Sequence, residues 1–218
     1  MILVPFKNLR EAKQRLASVL DAGQRAALAA AMLEDVLNSL VAWPACPPVS
    51  VVTGDHWGIE TARGLGFDVI RDEVNGGESK AIEMATRLCK ASGATWTLVL
   101  PADIPLIEAE DVAEILAAAP AEGSVVVPAA DGRGTNAALR RPPALFPLRF
   151  GDDSFLPHCA AAEATGKPCI VLKLAGVGLD IDRPADLAAV LERPSETRTQ
   201  RLLRDWNMTE RIAVAQSR

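Results

Sequence analysis

Short apolar runs rich in β-branched residues alternate with longer stretches of helical period along most of this chain, and few folds accommodate that order. Strands are predicted at Ile2–Pro5, Val49–Thr53, Phe67–Ile70, Trp96–Leu100, Ser124–Pro128, Asn136–Leu139 and Ile170–Leu174. Helices are predicted at Ala22–Leu40, His56–Gly64, Ser79–Ala91, Ala109–Ala118, Phe155–Ala164 and Pro184–Leu191. Strands and helices taking turns in this way give an α/β fold, a three-layer α/β/α sandwich on a mostly parallel, Rossmann-like sheet. In the first long helix Leu28, Met32, Val36 and Leu40 recur every four residues, a single apolar stripe to lay on that sheet.

With 218 residues, 49% of them apolar, the chain can bury one sizeable core and is short for two. One catalytic-sized domain is expected over residues 1–192. The charged segment 193–218, with Leu202, Leu203, Trp206 and Ile212 as isolated apolar points, is expected to be a docking helix or a disordered tail. A docking helix there would pack on the domain or on a second copy, so a homodimer is admitted. The 23 Lys and Arg stand against 28 Asp and Glu, which disfavours a non-specific nucleic-acid binder but not a local site for small anions. Cys46, Cys89, Cys159 and Cys169 show no C-x-x-C spacing and have only His56 and His158 to join them, so buried, reduced thiols are expected rather than zinc ligands. The apolar N-terminal run is too short for a signal peptide and no longer run follows, which points to a cytoplasmic protein with no membrane span.

In an open parallel sheet the ligand lies beyond the carboxyl ends of the strands. After the first strand comes VPFKNLREAKQRL, where Lys7, Arg10, Lys13 and Arg15 either supply donors suited to a triphosphate or form an ordinary solvated basic turn. After WTLVLP comes Asp103 in Ala102-Asp103-Ile104-Pro105, a carboxylate at the end of a buried strand on a stiff backbone. Leu179-Asp180-Ile181-Asp182 places two carboxylates two residues apart, which extended backbone turns to one side. Asp103, Asp180 and Asp182 together suit Mg2+, although Asp182 is also a fair helix N-cap. Two glycine-containing loops, 132–136 and 149–154, form a second anion pocket, with Ser154 at a helix start either as ligand or as plain cap.

Taken in order, VPFKNLREAKQRL, LPADIPL, GRGTNAAL, FPLRFGDDSF and GLDIDRPADL resemble the 2-phospho-L-lactate guanylyltransferases, a family with relatives that use phosphoenolpyruvate or 3-phosphoglycerate in deazaflavin coenzyme biosynthesis. The likeness covers about residues 1–192. It implies a nucleotidyltransferase fold, GTP as donor, a small phosphorylated acid as acceptor and pyrophosphate as leaving group. By matched position it implies that Asp103, Asp180 and Asp182 hold magnesium and act in catalysis. It also implies that Thr135, Gly151 and Ser154 hold the acceptor phosphate, and that Lys7, Lys13 and Arg15 face the nucleotide phosphates.

One segment departs from the family's pattern. Where a stretch like GLNAAL is expected before the third helix, this chain has Gly77-Glu78-Ser79-Lys80-Ala81-Ile82, with Ser79 in place of Asn and a Glu–Lys pair among small residues. The resemblance puts Gly77, Glu78 and Ser79 beside the nucleotide. By donor and acceptor type, Glu78 could accept from guanine N1–H and its amino group, or Lys80 could read an acceptor on another base. The alternatives left open are a cytidylyl- or uridylyltransferase acting on a sugar phosphate or other phospho-acid, and a non-catalytic nucleotide-binding module.

Overall fold

A computed structural model describes residues 1–74 and 76–216; in sequence Asn75, Gly76 and Gly77 together suit close backbone approach to a ligand, but Asn75 lies outside the described residues. Seven strands form one sheet: β1 Ile2–Pro5, β2 Val49–Thr53, β3 Asp68–Arg71, β4 Thr97–Val99, β5 Gly123–Pro128, β6 Thr135–Arg141 and β7 Cys169–Val171. The helices are α1 Ala22–Val41, α2 His56–Gly64, α3 Glu78–Ala91, α4 Ala109–Ala118, α5 Phe155–Glu163, α6 Ala175–Gly178, α7 Pro184–Leu191, α8 Arg198–Asp205 and α9 Met208–Gln216. Two short 3-10 turns, Leu9–Glu11 and Gln14–Leu16, follow β1.

The sheet order is β3-β2-β1-β4-β6-β5-β7. All neighbours pair in parallel except β6, which runs antiparallel to both β4 and β5. Strand order reverses between β1 and β4, the switch point at which open α/β sheets leave a crevice. Because β6 is reversed, its first residues, Thr135 and Asn136, lie at the same sheet edge as the carboxyl ends of the other strands. That reversal carries a loop of the second half of the chain to the crevice made by the first half.

Side chains alternate across each strand and fill two cores. Ile2, Val4, Val51, Leu98 and Val125 face the α1, α4 and α7–α9 side, while Leu3, Val52, Val99 and Ala138 face α3 and α5. The predicted stripe of α1 is buried in full, and each such residue stabilises by roughly 1.5–3 kcal/mol, which outweighs propensity in holding the helix. Asp21 and Gln24 close a capping box at its start.

Beyond Arg193 the described chain forms α8 and α9. Leu203, Met208 and Ile212 are buried in the first core, and the Asp35 carboxylate of α1 accepts from the backbone N–H of Arg198 and Thr199 at 2.8 Å each. Of the cysteines Cys89 is buried, whereas Cys46, Cys159 and Cys169 are only half-buried, so the expectation of four buried thiols is corrected: Cys46 lies in the loop before β2, Cys159 on α5 and Cys169 on the edge strand β7. No described helix is long and apolar enough to cross a membrane.

Candidate active site

At the carboxyl end of β4, Asp103 meets Asp180 and Asp182 from the segment that enters α7. One oxygen of each lies within 4.8 Å of the others. The Asp103 carbonyl accepts from Ile181 N–H at 3.1 Å, and Ile181 is fully buried, so its two flanking aspartates are turned outward together. Asp180 is held by Asn136 of β6, whose Nδ2 donates to its Oδ1 at 2.9 Å. Lys13 closes the group: Nζ donates to Asp103 Oδ2 at 2.6 Å and to Asp182 Oδ1 at 2.9 Å. Its backbone sits at φ 51°, a left-handed conformation that a lysine adopts only when its surroundings hold it there, as these two carboxylates do.

The electrostatics describe a site that wants positive charge. Burial alone would lower the Lys13 ammonium, but Asp103 and Asp182 outweigh it and raise its pKa above the ordinary lysine value. Asp180 is pushed up to about 6 by burial and by Asp103, partly offset by Asn136. Glu78, at the start of α3, is pushed up to about 7 by burial and by Asp103, against Lys7 and Lys13. Three convergent carboxylates, hard oxygen donors on a half-buried face, fit a divalent cation such as Mg2+.

Two clefts open on this cluster. The larger, about 610 Å³, runs from Phe6 and Lys7 across Met32 and Val52 to Arg71 and Glu73. The smaller, about 250 Å³, is walled by Thr135 and Asn136 on one side and Gly151–Ser154 on the other. Arg15, Glu78, Asp103 and Asp182 line both. Arg15 spans the junction, with Nη2 2.8 Å from Asp152 and Nη1 3.4 Å from Asp182.

In the smaller cleft Gly151 has φ 138°, a backbone setting closed to side-chain-bearing residues. Arg133 reaches across to Asp153 with Nε at 2.6 Å and Nη2 at 2.9 Å, which fastens the two loops together. Ser154 occupies the N-cap of α5 but its hydroxyl caps nothing; Oγ is buried with no hydrogen-bond partner in the protein. A buried hydroxyl costs about 1–3 kcal/mol when left unpaired, and with no cap bond made here the plain-cap alternative is withdrawn. The same holds for Asp182. The cap of α7 is Arg183, and Asp186 takes the free N–H groups of Asp182 and Arg183, leaving the Asp182 carboxylate for Lys13 and Arg15.

Lys7, Lys13, Arg15, Gly77 and Glu78 all line the larger cleft. Ser79 lies elsewhere: its Oγ accepts from Phe150 N–H at 3.0 Å and so ties α3 to the opposite loop. Lys80 is exposed and packs along Gly76, outside the cleft. Glu78 stands at the junction among the charged groups rather than at the far end of the larger cleft. The sequence reading overlooked Asn136 as the anchor of Asp180, Asp152 as a partner of Arg15, and Arg71 on the far wall. Only the strand-end position of Arg71 carried a signal for it.

An open sheet with a switch-point crevice, a three-aspartate cluster and a basic turn after β1 defines a nucleotidyltransferase-type protein. The profile of the guanylyl transferase CofC-like family matches residues 1–217, and the chain belongs to that family. It is 36% identical over 206 residues to the phosphoenolpyruvate guanylyltransferase of Roseiflexus castenholzii, covering 94% of each chain. It is 42% identical over 187 residues to the enzyme of that name in Rubrobacter xylanophilus, covering 85% of this chain and 90% of the other. To the 2-phospho-L-lactate guanylyltransferase of Methanothermobacter thermautotrophicus it is 32% identical, over 95% and 91% of the two chains. Among solved structures, one provisionally named a nucleotide-diphospho-sugar transferase, from Desulfovibrio desulfuricans G20, superposes with a TM-score of 0.79 at 20% identity, over 98% and 96% of the chains. A cytidylyltransferase from Leptospira borgpetersenii superposes at 0.56 with 14% identity, over 97% and 94%. Those two likenesses concern the fold alone.

Proposed function

We propose that this protein transfers GMP from GTP to a small phosphorylated acid, phosphoenolpyruvate or 2-phospholactate, with release of pyrophosphate, as in the opening of deazaflavin coenzyme assembly. The observation that carries the reading is the pair of clefts meeting at one aspartate cluster, since such a reaction needs a donor site, an acceptor site and a cation between them. The larger cleft takes the nucleotide, with Lys7 and Lys13 toward its phosphates. The smaller takes the acceptor, with the hydroxyls of Thr135 and Ser154 and the backbone of Gly151 toward its phosphate.

An oxygen of the acceptor phosphate attacks the α-phosphorus in line; the new phosphate–phosphate bond forms as the bond to the β-phosphate breaks, and pyrophosphate leaves with the electron pair. That oxygen is already anionic at neutral pH, so the site needs no strong general base, and catalysis comes from positioning and charge neutralisation. Arg15 at the junction and Lys13 between the aspartates are placed to offset the negative charge gathered there. Mg2+ held by Asp103, Asp180 and Asp182 would act as Lewis acid and template for the phosphates.

The acceptor assignment predicts that Ser154→Ala raises the KM for phosphoenolpyruvate about tenfold or more, the cost of one hydrogen bond to a charged group, with the KM for GTP little changed. A rise confined to GTP would move this loop to the donor side. The donor assignment is tested by pyrophosphate release over four nucleotides crossed with phosphoenolpyruvate, 2-phospholactate, 3-phosphoglycerate and sugar phosphates. In the same panel Glu78→Gln should depress kcat/KM for every nucleotide to a similar degree, because Glu78 lies with the charged groups of the junction. A selective loss of GTP use, by the several orders of magnitude a base-reading site can supply, would instead make Glu78 the guanine reader.

A further inference from the structure

We infer that His158 is a positioning residue for the acceptor: it fixes the Thr135 hydroxyl as a hydrogen-bond donor into the smaller cleft and anchors the loop that supplies Gly151 and Ser154. The inference rests on the reading of that cleft as the acceptor site.

His158 lies on α5, is 1% exposed, and lines neither cleft, so it has no direct part in the reaction. Its two ring nitrogens have unlike partners. The backbone N–H of Arg149 donates to Nε2 at 2.8 Å, and Nδ1 stands 2.9 Å from Thr135 Oγ1. A backbone N–H only donates, so Nε2 must present its lone pair. Burial and the nearby Arg140 guanidinium push the imidazole down to about 4, which leaves the ring neutral with a single proton. That proton is therefore on Nδ1, and Nδ1–H donates to Thr135 Oγ1.

A hydroxyl that accepts from the ring keeps its own hydrogen free. Among the described residues no protein acceptor is within hydrogen-bond reach of it, and Thr135 lines the smaller cleft. The hydrogen is available to an oxygen of an anionic ligand. In the opposite tautomer Nδ1 would take this hydrogen, and Thr135 would meet the anion with lone pairs. The tautomer thus sets the sign of the contact. The Arg149 bond that selects the tautomer also holds the loop leading to Gly151 and to the unpartnered Ser154 Oγ. Phe150 packs edge-on against the ring, with centroids 5.3 Å apart. One side chain on α5 therefore sets both walls of the cleft, β6 on one side and the 149–154 loop on the other.

Two measurements test this. Nitrogen-15 NMR of histidine-labelled wild type distinguishes the exposed His56 from the buried His158; at pH 7 the buried ring should be neutral and protonated on Nδ1. A neutral ring protonated on Nε2, or a charged ring, overturns the inference without any variant. The second is steady-state kinetics with phosphoenolpyruvate at saturating GTP. His158→Gln should keep an acceptor for Arg149 but lose the donor to Thr135, raising the acceptor KM about tenfold, the effect of misdirecting one hydrogen bond to a charged group. The GTP KM should hold within about twofold, and the melting temperature should stay near wild type. In a Thr135→Val background His158→Gln should add less than about twofold, because a residue acting through Thr135 cannot lose that contact twice. Effects that multiply, or a GTP KM that rises in step, assign His158 a structural role only. If Thr135→Val leaves the phosphoenolpyruvate KM unchanged, the acceptor reading falls and the inference with it. If Thr135→Val raises it and His158→Gln does not, the inference on His158 alone falls.

Discussion

Asp103→Asn should yield a folded protein that still binds nucleotide but turns over on the order of 10³-fold more slowly, the loss expected when one preorganised charge at a phosphoryl centre is removed. The fold does not depend on this carboxylate. What ties Asp103 into the structure is its backbone carbonyl, which accepts from Ile181 N–H at 3.1 Å. The amide keeps the shape of the side chain and can still accept from Lys13, which retains Asp182 at 2.9 Å in any case. What disappears is a negative charge where Asp103, Asp180 and Asp182 converge. Melting curves and far-ultraviolet circular dichroism should match wild type, so the loss is to be read in pyrophosphate release at saturating substrates. Turnover within tenfold of wild type in such a preparation would remove Asp103 from the site.

The sequence made the layers and the active edge legible because both are written in short-range pattern. β1, β2, α2 and α4 lie where alternation and period put them, and Asp103 and the 180–182 pair are marked by following apolar strands and turns directly. The strand expected at Ile170–Leu174 stops at Val171 because the chain leaves the sheet edge there and turns into the short α6, which a run of small residues did not announce. What pattern could not carry were the contacts between distant segments. Lys13 meets Asp103 across 90 positions and Asp182 across 169, and Asn136 meets Asp180 across 44. The Lys13 contacts depend on β1 and β4 lying side by side in parallel, and the Asn136 contact on the reversed direction of β6, neither of which local periodicity encodes. The capping role considered for Asp182 failed for a related reason. A side chain near a helix start caps it only when no stronger partner competes, and Asp182 has Lys13 and Arg15, while Asp186 supplies the α7 caps from inside the helix.

Asp180→Asn should slow turnover on the order of 10³-fold, the loss expected for Asp103→Asn, and yet raise the stability of the metal-free protein at neutral pH. Burial and the Asp103 carboxylate push Asp180 up to about 6 from an ordinary value near 3.8, so the folded state opposes its ionisation. The sign follows from linkage. A carboxylate raised in the folded state favours folding below its unfolded pKa; that contribution is lost as pH climbs from about 4 to about 6, and above this the charge is carried at a constant cost. A shift of about two units corresponds to roughly 3 kcal/mol; with the residue half-buried and solvent screening the pair, about 1–2 kcal/mol is the figure to expect. For a domain of this size that raises the melting temperature by about 3–6 °C at pH 7.5, and most of the gain should be gone near pH 4, where Asp180 is protonated in the folded state and about half protonated in the unfolded one. The amide can keep its oxygen toward Asn136 Nδ2, so the link to β6 survives the change. Millimolar Mg2+ should stabilise wild type by binding the folded form alone and stabilise Asp180→Asn much less. Paired melting curves at pH 7.5 and pH 4, with and without Mg2+, decide the matter. A variant that melts below wild type at pH 7.5 would show that Asp180 serves the fold through Asn136, and that the aspartate cluster is not held against its own repulsion for the sake of a cation.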